Sequence, residues 1–519
     1  MVMNNKLILP GEEARNKLFK GIEILTDAVK VTLGPKGKNV LLDSLYNYPV
    51  ITKDGVSVAK EVMSKDYFQN AGIKFLKGVA QKTCDEVGDA TTTSCILSYS
   101  LIKYGFEAMK EGHSPLGINK GIKKAVNQVV NYIQKHSIPV DFEKLNNIAT
   151  ISANNDAYIG NLITEGLNAV SLDGVLAVDD SPTGKTYLDV VQGMRFNRGY
   201  VSPFFATDEF TQECILDQPY VICYQGKLDT IKPIAEYLET ASRNNNSVLI
   251  VANDYDPEVI RTFTVNKLQN RLKIAAIRSP GFGETKKEVF EDFIISIGGN
   301  PENILSIGNA EKITITQDST TIINDKGNLE NRIKSIEQQL EEPHTEEVNK
   351  VLKERLVRLK GGVGILYVGG NSEAEQKELK DRCEDAVCAT KAAIEEGVVC
   401  GGGITYIRAI KSLNKLKCED LSELEGVDIV RKTLFSPLIQ ICINAEVEAS
   451  TVIAKVLEKS TNFGYNALTN SYGNMVTMGI LDAAKASRIA LENAASVATT
   501  ILTIEHAICE EEKNLDNSY

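Results

Sequence analysis

The apolar pattern of this chain changes texture twice, and that change limits its architecture more than any single motif. Over residues 14–33, apolar side chains recur at Leu18, Ile22, Leu25, Val29 and Leu33, three or four apart, which is the stripe of an amphipathic helix. Gly34-Pro35 stops it, because proline cannot continue the hydrogen-bond ladder. Two short strands are expected around 39–42 and 49–52, the second closed by the turn signal Asp54-Gly55. A long helical region follows over roughly 57–110, broken at Gly88-Asp89, and helical patterns run on to about Gln134. The middle differs: 248–252 and 274–277 are short β-branched runs bounded by turn residues and separated by helical stretches, the texture of an α/β domain. Residues 331–360 are highly charged, with Ile333, Ile336 and Leu340, then Val348, Leu352, Leu356 and Leu359, broken at Pro343, and read as a solvated helical hairpin. A strand-like run from 363 to 368 follows Gly361-Gly362, and helical texture returns from Ser372. Helices at both ends of an α/β insert predict a discontinuous outer domain. At 519 residues, well past the roughly 250–300 at which one core stops growing, two or three domains are expected.

Charge and thiols narrow the functional classes. With 57 Lys+Arg against 69 Asp+Glu the net charge is -12, the wrong sign for a protein whose main partner is nucleic acid. No apolar run is long enough to cross a bilayer. The ten cysteines contain no C-x-x-C pair and no histidines at zinc-ligand spacing, and scattered thiols of this kind point to a reducing compartment. The first residues show neither a secretory n-region and h-region nor an Arg/Ser-rich transit character. The bacterial cytosol is the expected location, with the interior of an organelle left open.

The standard nucleotide fingerprints are missing: there is no G-x-x-x-x-G-K-[ST], and no G-x-G-x-x-G between a strand and a helix. The four histidines form no H-E-x-x-H, and there is no G-x-S-x-G. The chain instead carries Thr32-Leu-Gly-Pro-Lys-Gly37, Lys53-Asp-Gly55, Asp89-Ala-Thr-Thr-Thr93 and Gly401-Gly-Gly403. Thr91, Thr92 and Thr93, following Gly88-Asp89, would set hydroxyls and free N–H groups at a helix N-terminus, where the dipole favours phosphate. Taken singly, an ordinary helix cap is the better explanation of the threonines. Gly34-Pro35 alone is a plain helix stop, Asp54 a turn residue, Asp385 a solvated helix residue, and 401–403 a flexible connection.

In this order and at this spacing, together with Ile151-Ser-Ala-Asn154, Gly199-Tyr-Val-Ser-Pro203, Ser279-Pro-Gly-Phe-Gly283, Glu395-Glu-Gly-Val-Val399, Phe463-Gly-Tyr-Asn-Ala467, Tyr472-Gly-Asn-Met475 and Gly479-Ile-Leu-Asp482, the motifs resemble those of GroEL-type group I chaperonins from about Lys6 to about Glu505. The resemblance implies a multidomain chaperonin fold, part α and part α/β. A mostly helical equatorial ATPase domain would span 1–136 and 396–519, a small intermediate hinge domain 137–191 and 364–395, and an α/β apical domain 192–363. Gly193 and Gly362 would fall on the apical hinge strands, where glycine tolerates large φ/ψ changes. The resemblance also implies ATP and Mg2+ as cofactors, with K+ as an option. Thr32, Leu33, Gly34, Pro35, Lys53, Ala90 and Gly402 would lie along the nucleotide, Asp89 would hold the metal, and Thr91, Thr92 and Thr93 would meet phosphates. Asn466, Ala467, Ile480 and Asp482 would surround adenine and ribose. Asp385 would orient the attacking water, with Asp54 as its partner, a task suited to carboxylates because phosphoryl transfer is mostly positioning.

On the apical face Tyr200, Phe204, Phe205, Leu238, Ile260 and Val265 would grip clients, since sequence-tolerant binding of unfolded chains relies on apolar burial. The implied partners are unfolded polypeptides, copies of the chain in a seven-membered ring, single or double, and a co-chaperonin of the GroES type as a further option. Four departures bear on function. Ala90 stands where the family has glycine, so a methyl meets the phosphate approach, and it is strained if φ is positive. Ala235 and Thr264 replace Leu and Val, which weakens an apolar groove by about 1–3 kcal/mol. The tail Glu510 to Tyr519 has no Gly-Gly-Met repeat. Two functions fit: an ATP-hydrolysing folding machine, and a divergent chaperonin-fold scaffold with weak or no turnover.

Overall fold

A computed structural model of the chain describes residues 6–44, 47–170, 175–181, 183–196, 198–208, 212–281, 286–323, 329–341, 352, 355–356, 359, 362–459 and 462–510. It divides into two compact units, one of Met1–Thr164, Asp180–Lys185 and Val368–Tyr519, the other of Glu165–Asp179 and Thr186–Tyr367.

The first unit is built on long helices. Helix Gly11–Lys30 buries Ala14, Leu18, Ile22, Leu25 and Val29 along one face, the stripe expected from the sequence. It ends before Gly34-Pro35, because the Thr32 N–H and hydroxyl both donate to the Val29 carbonyl, at 3.0 and 2.9 Å, and turn the chain off the helix axis. The expected helical region after residue 57 is three helices, Gly55–Glu61, Tyr67–Val87 and Thr91–Lys110. The unexpected break, at 62–66, has a local cause: the Asp66 carboxylate accepts from the Phe68 and Gln69 N–H groups at 3.0 and 3.1 Å and starts a new helix there. Helices Gly11–Lys30 and Tyr67–Val87 cross at two glycines, where a Cβ on Gly21 would lie 1.9 Å from the Gln69 carbonyl oxygen and one on Gly72 2.0 Å from that of Leu18. Helices Pro115–Lys135, Leu421–Thr433 and Ala484–Ile501 complete this core. Among the described residues, four antiparallel pairs decorate it: Lys6–Pro10 with His506–Glu510, Val40–Ser44 with Asn47–Thr52, Val398–Cys400 with Leu481–Ala483, and Phe463–Asn466 with Ser471–Asn474.

The second unit is α/β. Strands Tyr220–Leu228, Ser247–Tyr255 and Lys273–Arg278 run parallel, joined through helices Ala235–Arg243 and Pro257–Leu268, with Leu305–Asn309 added antiparallel at one edge. The β-branched runs are its central strands, buried on both faces as parallel strands require. A six-stranded sheet is ordered Val175–Asp180, Gly362–Val368, Tyr187–Phe196, Thr320–Ile323, Lys312–Ile315, Cys214–Asp217. Gly362 pairs there with Gln192, beside Gly193. Of the expected hairpin, the first arm is helix Glu330–Glu341. Most of its second arm, Phe282, Gly283 and the tail beyond Glu510 lie outside the described residues.

The apolar positions expected to grip clients do not share one environment. Phe204 and Val265 are exposed, at 60% and 43%, and Tyr200 and Ile260 are half-buried. Phe205 and Leu238, in contrast, are core residues and not surface contacts. Phe205 closes the 3-10 turn Pro203–Phe205 with its ring fully inside, and Leu238 lies on the inward face of its helix, one turn from Ile234 and Ala241. Among the described residues no helix is long and apolar enough to cross a membrane.

Candidate active site

One cavity of about 460 Å³ lies wholly within the helical unit, a volume in the range of small-molecule sites. Several separated stretches of chain line it, one of them carrying Asn147 and Asn155. The first is Thr32, Leu33, Gly34 and Pro35, where Gly34 has φ +83 and the Asn444 side-chain amide donates to the Lys30 and Leu33 carbonyls at 2.9 and 2.8 Å. The second is Lys53-Asp54. Asp54 caps helix Gly55–Glu61, accepting from the Val56 and Ser57 N–H groups at 3.1 and 2.6 Å. A Cβ on Gly55 would lie 2.3 Å from the Thr92 hydroxyl, so only glycine lets this turn seat against the threonine run.

The third stretch is Asp89 to Thr93. Thr91 begins helix Thr91–Lys110 and no side chain caps it, so its first N–H groups point into the cavity end with the positive helix dipole. Ala90 sits just before, at φ 62 in the left-handed region. The expected strain is therefore present, since an L-residue with a methyl is disfavoured there. Ala90→Gly should stabilise the folded chain by about 1 kcal/mol, read as a higher denaturation midpoint. A lowered midpoint would mean that packing of the Ala90 methyl outweighs its backbone strain.

Helix Glu373–Glu396 brings Asp385 to the cavity, and Gly402, Asn466, Ala467, Ile480 and Asp482 line it from three further segments. The 401–403 run is a tight turn with Gly402 at φ 63 and Gly403 at φ 77, not a flexible link, and a Cβ on Gly401 would come 2.9 Å from a carboxylate oxygen of Asp482. Every residue expected along a nucleotide thus lines the same cavity.

Its electrostatics are set by buried carboxyl groups that crowd one another, although among the described residues no three His, Cys, Asp or Glu side chains cluster as a metal-binding set. Asp89 accepts from the Ala90 N–H and from the Ser152 hydroxyl at 3.3 Å, yet burial still raises its pKa. Burial, then Asp54, Asp89 and Asp381, push Asp385 well above the usual carboxylate range. Burial and then Asp89 push Asp482 up to about 7, with the Gly402 N–H opposing. Carboxyl groups crowded this way favour a proton or a metal ion as partner. At the same end, burial and then Arg382 lower the Lys53 pKa. A negatively charged ligand carried with a divalent cation would satisfy both the carboxylates and the free N–H groups.

Sequence reading missed several lining residues, among them Asn147, Asn155, Glu378, Asp381 and Arg382. For Asp381 and Glu378 a signal existed: they lie four and seven residues before Asp385 on one helix, hence on the same face. Asn155, at φ 64, left no such trace.

Outside this molecule, two crystal structures of chaperonin gp146 from bacteriophage EL 2 (Pseudomonas aeruginosa), obtained in the presence of ATP-BeFx, share the fold. One superimposes with a TM-score of 0.67 at 20% identity, covering 98% of this chain and 100% of that one. The other gives 0.64 at 19%, covering 98% and 99%. At such identities the likeness speaks for the fold alone. The sequence evidence is broader, because the model of the TCP-1/cpn60 chaperonin family matches residues 25–512. With its helical unit, its α/β unit and a family match across nearly its full length, the chain belongs to the TCP-1/cpn60 chaperonin family.

Proposed function

We propose that this chain is an ATP-driven molecular chaperone that encloses non-native polypeptides in a ring cavity and uses nucleotide binding and hydrolysis to promote their folding. The observation that carries this reading is the convergence of Asp54, Asp89, Asp385 and the Thr91 helix N-terminus on one cavity. Thr91, Thr92 and Thr93 bind phosphate oxygens through hydroxyls and backbone N–H groups. Asp89 would hold Mg2+, which when bound neutralises charge on the phosphates. Asp385, with Asp54 beside it, orients water for in-line attack on the terminal phosphorus and receives its proton, while the P–O bond to ADP breaks. Asn466, Ala467, Ile480 and Asp482 enclose adenine and ribose.

Three domains transmit this chemistry in the same reading: equatorial (1–136, 396–519), intermediate (137–191, 364–395) and apical (192–363), with Gly193 and Gly362 as hinge points. Phe204 and Val265 supply exposed apolar surface for clients. Assembly into a ring fits two open two-stranded sheets. Ile8 and Ile508 on one and Leu41 and Ile51 on the other are 59–62% exposed, and isolated two-stranded edges of this kind seek partners. Charging both, Ile8→Asp with Leu41→Asp, should remove about 1–3 kcal/mol per buried side chain from every subunit contact and shift native mass from the assembly to protomers. An unchanged mass would exclude these sheets as the ring contact. The cytosol and a GroES-type co-chaperonin complete the picture.

A scaffold with decayed turnover is the second reading, favoured by Ala90 at φ 62. Refolding of a denatured client with ATP, set against a non-hydrolysable analogue, separates the two. Yield that requires hydrolysis supports the machine, and absence of Mg2+-dependent ATP turnover refutes it.

A further inference from the structure

Helix Glu373–Glu396 lines the cavity with Glu378, Asp381, Arg382 and Asp385, and three residues after Asp385 it meets the turn at Gly88. Gly88 ends helix Tyr67–Val87 at φ +68, its N–H bonded to the Cys84 carbonyl at 2.7 Å. A Cβ built on Gly88 would lie 2.1 Å from the Cys388 Cβ, 2.8 Å from its Sγ and 3.5 Å from its Cα. The Cys388 side chain therefore rests directly on the Gly88 α-carbon. Asp89 and Ala90 follow Gly88 immediately, and Asp385 shares a helix face with Cys388. Beyond this point the helix packs Ala389, Ala392 and Ala393, with Ile394 at the margin, against Val87, Leu145, Ile148 and Val398.

We propose that Cys388 on Gly88 is the positioning contact that sets Asp385 against Asp89 and Asp54, so that side-chain size at 388 governs hydrolysis far more than nucleotide binding. Asp89 to Thr93 adjoin this contact, whereas the other binding residues, Thr32 to Pro35, Asn466-Ala467 and Ile480 to Asp482, sit on other segments. Interiors pack tightly enough that extra atoms in such a seat must move the helix, and a displacement near 1 Å costs about 100-fold in a positioned reaction. The inference rests on the ATPase reading above.

The test is steady-state ATP turnover and Mg2+-ATP affinity of the full chain for wild type, Cys388→Ser and Cys388→Leu. Cys388→Leu should lose about 100-fold in kcat with a much smaller change in nucleotide affinity, and the smaller Cys388→Ser should keep turnover near wild type. Because leucine could perturb folding, the same wedge is also applied to folded protein. Methyl methanethiosulfonate adds –SCH3 to Cys388 in a chain with Cys84, Cys418 and Cys509, the other half-buried thiols, changed to serine. Turnover should fall and return with dithiothreitol. Full turnover of Cys388→Leu or of the mass-confirmed adduct, or equal loss of affinity and kcat, would overturn the positioning role alone. A wild type without turnover removes the ATPase reading and this inference with it.

Discussion

Asp385→Ala is expected to lower steady-state ATP turnover by about 10²–10⁴-fold, the span typical of losing a proton-accepting group in the transition state. The structure makes this a clean experiment. Asp385 contributes no apolar packing, and its carboxyl is held high by burial and by Asp54, Asp89 and Asp381. Removing it relieves like-charge crowding, so folding should be unharmed. Nucleotide affinity should hold, because the hydroxyls and N–H groups that meet phosphate belong to Thr91, Thr92 and Thr93 on another segment. The variant should therefore trap unhydrolysed ATP. Turnover within a few-fold of wild type would show that Asp385 is a spectator and shift attention to Asp381, one turn away on the same helix. Loss of binding together with turnover would instead mean that Asp385 shapes the cavity.

Much of the architecture was readable because periodicity reports burial. The stripe from Leu18 to Val29 and the strands at 248–252 and 274–277 were visible in residue order alone, since each element buries a face or a full strand. What escaped was set by single polar groups or by tertiary packing. The helix restart at Tyr67 depends on one Asp66 carboxylate, and acidic residues are too common to mark a break. Phe205 and Leu238 read as surface by analogy of position, yet an apolar side chain carries no mark of which way it faces. Their burial follows from the turn at Pro203 and the helix phase at Ile234. The site divides along the same line. Residues in short motifs, Thr32 to Pro35 and Asp89 to Thr93, could be placed by pattern, while Asp381 and Arg382 enter the cavity only because helix Glu373–Glu396 presents that face.

The carboxylate crowding also sets a pH dependence whose sign can be worked out. Asp482 is raised from the ordinary aspartate value to about 7 by burial first and by Asp89 second, and Asp89 and Asp385 are shifted the same way. Between pH about 4 and 7 the folded chain, without cation or nucleotide, holds protons that the unfolded chain has released. The unfolded state then binds fewer protons, so stability falls as pH rises through this window, by on the order of 4 kcal/mol for a single group shifted this far. Thermal unfolding in EDTA should show a transition temperature lower at pH 8 than at pH 5. Asp482→Asn, which keeps the shape and removes the charge, should flatten that slope and unfold at a higher temperature than wild type at pH 8. A divalent cation bound with nucleotide should do the same to wild type while releasing protons, because it takes the place they filled. A transition temperature independent of pH in EDTA, or an Asp482→Asn variant less stable than wild type at pH 8, would mean that water reaches these carboxylates and relieves the crowding. The cavity would then have no electrostatic demand for a metal ion, and the case for Asp89 as its ligand would fall.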